Sequence, residues 1–553
     1  MRPEDQRAVE SESLECQILT SESPLHSNWR ISGGRKAGQH LAVLICLLFL
    51  PARLSSSAPT DLDHLQQAAE LMNAGDLAGA ESEAKLALRD PSTRPVATAT
   101  LGAIRVHQKR YTEATEFLNT ALQLNPGLVS ARVMVGEVYV LTGKKALARQ
   151  VFNRVLAVEP DNREARFALA QLETDSSNFG ASLKIAEPVL TDLRRSPDGI
   201  LLLATDYAGL EKKDLLISLI HDWQGFPQAS AASSTAFASL LAKSGLTQQA
   251  LDVLEKAKSS GQVSYDMALA LGNLYFSNGD ASRAFGSYEA ALSLSPSCVH
   301  CLLQMAKIAE QQNDPEKALA YLIKAKKERP GNPEVLFEFG KTCLQLDLPD
   351  DAISALETAA HLRPDNDSYA YVLGSANVAK KQYEAAGKLF QALLSKHPND
   401  STLNYAMGSL LFLEVKLGEA AKYLRKSIVL QPNQIAAYYY LGLIAEGKGE
   451  NDEAIATLRD VLRRDPDYGA AYEALGGLLL KQQKYAEAEQ ALQRAVQLNP
   501  NSVKAHYQLG ILMGRTGRQE DANKEFGIVH QINAEEEKRS GMRLRILTPH
   551  GVR

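Results

Sequence analysis

The chain has 553 residues, 45% of them hydrophobic and 6% aromatic, and a formal net charge of −5 near neutral pH. So mild a charge gives no electrostatic case for nucleic acid or a membrane surface as the ligand. The length would ordinarily mean several globular domains, but an internal period replaces that expectation, carried by prolines each 34 after the last.

Residues 1–58 stand outside the period. Leu41 to Leu50 (LAVLICLLFL) is an unbroken apolar run, with Arg30, Arg35 and Lys36 before it and the small-residue cleavage site Ser56-Ser57-Ala58 after it. That is the layout of a secretory signal peptide. The run is too short for a membrane-spanning helix, which needs about 20 residues. The mature chain is expected to be exported, periplasmic or extracellular, with no stable membrane span. Anchoring through 41–50 and a cytoplasmic location are the alternatives. The segment from Met1 to Leu25 is polar and acid-rich, unlike a basic leader, and no Met lies between Met1 and Met72. Either the start is placed too early or the leader is unusually long.

From residue 59 the elements repeat. Ala80 and Pro91 mark a first unit, and Pro126 and Pro160 close the next two, with Gly102, Gly136, Ala114 and Ala148 in phase. Residues 59–197 read as units 1–4 and residues 198–262 as divergent units 5–6. The step from Pro160 to Pro197 exceeds one period, and the surplus is assigned to the polar stretch Asp175 to Gly180. Gly199 to Ala229 patterns as a helix pair. Gln224 to Thr235, rich in Gly, Pro, Ser and Ala, reads either as a flex point within one solenoid or as a drifted repeat that stacks normally. Pro160 and Pro296 stand four whole periods apart, so the drift cancels.

Residues 263–534 are regular and read as units 7–14. Pro296, Pro330, Pro364, Pro398, Pro432, Pro466 and Pro500 follow one another at the same constant interval. In phase before each proline stand a glycine or alanine (Gly272, Ala306, Gly340, Gly374, Gly408, Gly442, Gly476), an alanine (Ala284 to Ala488) and a large apolar residue (Tyr288 to Leu492). Ala471 to Lys481 and Ala486 to Leu498 have the apolar spacing of two helices, joined by the polar turn Gln482 to Lys484. Small residues at the glycine and alanine positions are expected to let the two backbones approach. The proline ends the second helix, because it lacks an N–H and restricts the residue before it. Leu509-Gly510, Ala522 and Phe526 add a last unit. Residues 535–553 form a basic tail with Lys538, Arg539, Arg543, Arg545 and Arg553. It reads either as a docking tail or as a polar cap on the array.

The pattern resembles the tetratricopeptide repeat (TPR) family: the Leu-Gly pair, Tyr275 three residues after Gly272, the alanine, the large apolar residue and the proline. The resemblance implies an all-α fold, an α-solenoid in which helix-turn-helix units stack into a right-handed superhelix. It also implies that the first helix of each unit lines a concave groove. Residues three before the repeat glycine then face that groove: Phe337, Tyr371, Tyr405, Tyr439 and Tyr507, with Glu473 interrupting. Lys341, Ser375 and Ser409 lie one turn on. An aromatic stripe suits a binding groove, although Tyr at this position also packs against the neighbouring helix. The Lys and Asn set of chaperone-tail clamps and the asparagine ladder of sugar-transferring relatives are both missing.

No catalytic or cofactor fingerprint occurs, so neither enzyme activity nor a cofactor is expected. Cys298, His300 and Cys301 form a C-V-H-C cluster. It admits a redox pair or disulfide, half a metal site, or plain packing where one helix enters the next unit. Leu302 stands where a c-type haem would need His, and a metal site would lack a second ligand pair. Cys343 reads as a small core residue.

The expected function is a non-enzymatic scaffold that holds a protein or peptide partner in the groove, in the cell envelope. For exported bacterial TPR proteins the resemblance extends to partners in assembly, secretion or polysaccharide machinery. A groove that binds a glycan or polymer, and a regulatory module for a separate enzyme, are the alternatives.

Overall fold

A computed structural model describes residues 61–547, with side chains from 62 to 535. The apolar run 41–50, its cleavage site and the side chains of most of the basic tail lie outside the described residues. The chain divides into two compact units, Met1–Val263 and Ser264–Arg553. The described part of each consists of successive antiparallel helix pairs, from Asp61–Ala74 with Leu77–Leu86 in the first unit to Val503–Arg515 with Gln519–Leu547 in the second. No strand occurs among the described residues. This is an all-α solenoid architecture.

The period has a backbone cause that the prolines do not reveal. Every helix pair turns through one residue in the left-handed conformation. These residues are Gly75, Lys109, Gly143, Ser177, Glu211, Gly245, Gly279, Asn313, Asp347, Lys381, Val415, Gly449, Gln483 and Gly517, each 34 after the last. Backbone hydrogen bonds enforce the turn: Val415 N–H donates to Phe412 O and Lys416 N–H to Leu411 O, both at 2.9 Å. That is the 6→1 and 5→2 pairing that closes a helix C-terminus. The spacing holds through the middle of the chain, which corrects the expected insertion at Asp175 to Gly180. Pro197 is not a repeat proline, because it sits at the start of the helix Pro197–Gly209. The preceding second helix is broken at Pro188 into Phe179–Ala186, a 3-10 turn and Leu190–Leu193.

The repeat proline does act as a stop. The residue before it closes the second helix outside the helical region, in an extended conformation at Gln431 (φ −140°) and Asp465 (φ −134°). The next helix is then opened by a side-chain cap, such as Asn332, Asp400 or Ser502.

Packing within a pair explains the other periodic positions. The alanines Ala284, Ala318, Ala352, Ala386, Ala420, Ala454 and Ala488 are all fully buried. The glycine makes room for one specific side chain, the large residue of the second helix. A Cβ at Gly374 would lie 2.4 Å from Phe390 Cε1, and one at Gly340 would lie 2.5 Å from Leu356 Cγ. The segment 224–235 is flanked by a ring stack, Trp223 on Phe237 with centroids 4.7 Å apart. In the second unit the final helix, Gln519–Leu547, reaches the helix Pro315–Glu328.

Candidate functional site

Within each unit, first helices of successive pairs pack against one another, as Pro333–Gln345 does on Asp367–Ala379 and Ser401–Leu413 on Ile435–Gly447. Second helices of successive pairs do not pack as closely. The layer with the closer spacing is the inner side of an arc, so the first helices form the concave face.

In the second unit this face changes character along its length. Its early part is polar. Asn273 Oδ1 accepts from Tyr288 Oη (2.8 Å) and lies 3.0 Å from His300 Nε2. Lys307 pairs with Glu334 at 3.4 Å. Lys341 pairs with Glu338 (2.7 Å) and Glu310 (3.9 Å), and Thr342 donates to Glu310 at 2.7 Å. Burial raises the Glu310 carboxyl. Gln304 Oε1 is buried with no hydrogen-bond partner, an arrangement that needs a reason in a folded protein.

The later part is aromatic. Phe337 stacks on Tyr369, with centroids 4.5 Å apart, and Lys341 lies over it. Tyr371 leans on Phe390 of its own second helix, with centroids 5.9 Å apart. Beyond it the rings gather around Tyr440. Tyr405 (5.9 Å), Phe412 (5.3 Å) and Tyr439 (5.7 Å) each meet it edge-on, and Tyr468 meets Tyr439 at 5.3 Å. Burial raises the phenols of Tyr371, Tyr405, Tyr439 and Tyr440, and that of Tyr468 to about 12. All stay neutral, and each keeps a proton to donate.

The residues singled out from sequence are therefore only partly brought together. Tyr405 and Tyr439 join one cluster through Tyr440. Tyr371 and Phe337 pack on other rings. Tyr507 stands apart, 52% exposed against Phe526. Ser375 and Ser409 spend their hydroxyls on their own helices, donating to Tyr371 O (3.1 Å) and Ala406 O (2.9 Å). Three cluster members, Phe412, Tyr440 and Tyr468, fall outside the stripe read from the glycine. The run Tyr438-Tyr439-Tyr440 was the signal that could have pointed to the cluster. The rim carries two carboxylates. Glu473 accepts from Ser502 (2.6 Å) and pairs with Lys504 (3.0 Å), and Glu446 pairs with Lys481 (2.5 Å).

Cys298 caps the helix Val299–Gln311 and is joined to Cys301, with Cα atoms 5.3 Å apart; both are buried. Cys343 is buried, and burial pushes its thiol up to about 12. Among the described residues no group of His, Cys, Asp and Glu is placed to hold a metal ion, and no helix is long and apolar enough to cross a membrane.

Sequence profiles described as tetratricopeptide repeat match residues 105–172, 275–336 and 309–376, and others match residues 235–297, 371–435, 405–469 and 439–503. Over 112 residues the chain is 25% identical to Superkiller protein 3 of Schizosaccharomyces pombe, a match covering 20% of this chain and 8% of that protein. A tetratricopeptide repeat protein from Parabacteroides merdae aligns with 45% of this chain and 98% of its own, at 18% identity and a TM-score of 0.42. Yeast Tom70 aligns with 82% of this chain and 98% of its own, at 16% identity and a TM-score of 0.34.

Proposed function

Because the chain belongs to the tetratricopeptide repeat family, we propose that it is a non-enzymatic interaction scaffold that holds an extended segment of a partner protein on the concave face of its second unit. The observation that carries this reading is the row of half-buried rings on the inner helices, from Phe337 through Tyr371 and Tyr405 to Tyr439 and Tyr440. Large rigid side chains on preformed helices lose little conformational freedom when a ligand arrives. Such residues dominate interface energetics.

A site-specific photo-crosslinker tests the reading. Placed at Ser375 or Ser409 on the inner helices, it is expected to yield discrete adducts in the native cell. Placed at Glu384 or Lys388 on the outer helix Tyr383–Lys396, it is expected to yield none of these adducts. Equal adduct patterns from both faces would move the function away from the groove. Changing Tyr371, Tyr405 and Tyr439 together to Ala should remove the inner-face adducts while leaving helicity intact. We further propose export to the cell envelope, on the strength of the apolar run 41–50 and the residues after it. Mass analysis of the native protein is expected to find its N-terminus at Pro59.

A further inference from the structure

We infer that the segment held by the second unit is basic, and that one of its lysine or arginine side chains lies across the ring cluster centred on Tyr440. This deepens the groove reading above and rests on it.

Three observations lead there. The first is what the rings lack. Some rings elsewhere carry one of the chain's own cations, as with Arg105 over Phe117, Lys317 over Phe285, Lys326 over Phe339 and Arg464 over Tyr438. Among the described residues no lysine or arginine stands over Tyr405, Phe412, Tyr439, Tyr440 or Tyr468. These five rings meet at steep angles of 44–71°. A ring quadrupole attracts a cation most strongly once water is excluded, and among the described residues these rings have none of the chain's own.

The second observation is the charge of the layer. The first helices from Tyr265 to Gly447 carry six carboxylates (Asp266, Glu310, Glu334, Glu338, Asp367, Glu446) against Lys307 and Lys341. The second helices from Ala281 to Arg464 carry 13 lysines and arginines against 11 carboxylates. Over these six helix pairs the inner helices are therefore net acidic and the outer ones slightly net basic, a difference that steers a basic ligand inward.

The third observation is the rim. Glu446 and Glu473 lie close enough for their charges to act on the Tyr439 hydroxyl. Their lysine partners, Lys481 and Lys504, are 70% and 62% exposed. Exposed pairs of this kind hold their carboxylates weakly, so an arriving guanidinium or ammonium group can share them. Neutral phenols and acidic neighbours suit a cation and disfavour an anionic partner.

The experiment uses the full chain and two fluorescein-labelled dodecapeptides of Gly, Ser and Leu, identical except for three arginines in one and three citrullines in the other. Anisotropy titrations are run at physiological salt. The arginine peptide is expected to bind at least about fivefold more tightly than its neutral twin, in line with a desolvated cation–ring contact. Tyr440→Leu should abolish that preference and Tyr440→Phe should keep it, with circular dichroism confirming helicity in both. Glu446→Gln should weaken the arginine peptide and leave the citrulline peptide unchanged, which keeps the test alive should Tyr440→Leu not fold. Equal binding of the two peptides, with both lost in Tyr440→Leu, would leave the groove reading standing and overturn the cation. An arginine preference indifferent to Tyr440→Leu would reduce the effect to general surface charge and overturn the cluster as the seat. Binding that appears only after residues 536–553 are removed would assign the groove to the chain's own basic terminus and overturn the partner. No binding of either peptide, with no inner-face photo-adducts, would sink both readings.

Discussion

Val415 occupies the left-handed turn position with φ +62°, where the following unit has Gly449 at φ +81°. An L-residue in that conformation costs roughly 1–2 kcal/mol, because Cβ approaches the carbonyl oxygen, and β-branching makes the position worse. Val415 is 75% exposed, so it recovers almost nothing by packing. Val415→Gly removes the steric term and adds about 0.5–1 kcal/mol of backbone entropy to the unfolded chain. The net expectation is a stabilisation of about 1 kcal/mol. In a stacked array a local gain is felt by the unit and its immediate neighbours. Native-state hydrogen exchange is therefore the appropriate assay. Amides of the helices Ser401–Leu413 and Leu417–Leu430 should exchange about fivefold more slowly, and amides of the first unit should not change. Gly449→Val, the reverse change at the equivalent site, should accelerate exchange in Ile435–Gly447 and Asn451–Arg464. An unchanged or faster rate in Val415→Gly, together with a silent Gly449→Val, would refute the claim that this turn imposes a steric cost.

Gly374→Ala places a methyl 2.4 Å from Phe390 Cε1 and should cost about 1–3 kcal/mol by overpacking, read as a lower urea midpoint. Adding Phe390→Leu should recover most of the loss, since Ala306 already sits opposite a fully buried Leu322 in another unit. Asp206 is fully buried and accepts from Thr174 (2.7 Å) and Ser182 (2.6 Å), and burial pushes its carboxyl up to about 6. The folded state thus keeps a proton that the unfolded chain releases near pH 4. The associated stability is complete below about pH 4 and is lost as pH rises to about 6, by at most about 3 kcal/mol. Urea midpoints at pH 4.5 and 7 should therefore differ in the wild type and converge in Asp206→Asn.

The array was legible because its restraints fall on rare residue types. A proline that ends a helix and an alanine that is fully buried leave a mark in every period. The turn between the helices left a weaker mark. Backbone hydrogen bonds force the left-handed conformation there whatever the side chain, so Lys109, Glu211 and Val415 occupy it as well as glycine. For that reason the middle of the chain looks shifted when prolines are counted. Pro197 belongs to the start of a helix and Pro188 to a break within one, while the turn at Ser177 keeps its place.

The site was legible to the extent that one helix face defines it. Residues three before each glycine include two members of the ring cluster, Tyr405 and Tyr439. The cluster itself belongs to no single face. Tyr440 is one residue further round the helix, Phe412 lies in the last turn of the preceding first helix, and Tyr468 lies in the segment that precedes the next one. A one-dimensional stripe treats Tyr371, Tyr405, Tyr439 and Tyr507 as equals, but their surroundings are not equal. Tyr371 and Tyr507 rest on a phenylalanine of their own second helix, whereas Tyr405 and Tyr439 share Tyr440. Changing Tyr371 or Tyr507 should consequently perturb one helix pair, and changing Tyr440 should reach two successive first helices at once. Single substitutions at Tyr440 and at Tyr371, compared in the same photo-crosslinking assay, separate a shared binding surface from a row of independent packing contacts: only a loss of adducts confined to Tyr440→Leu fits the cluster.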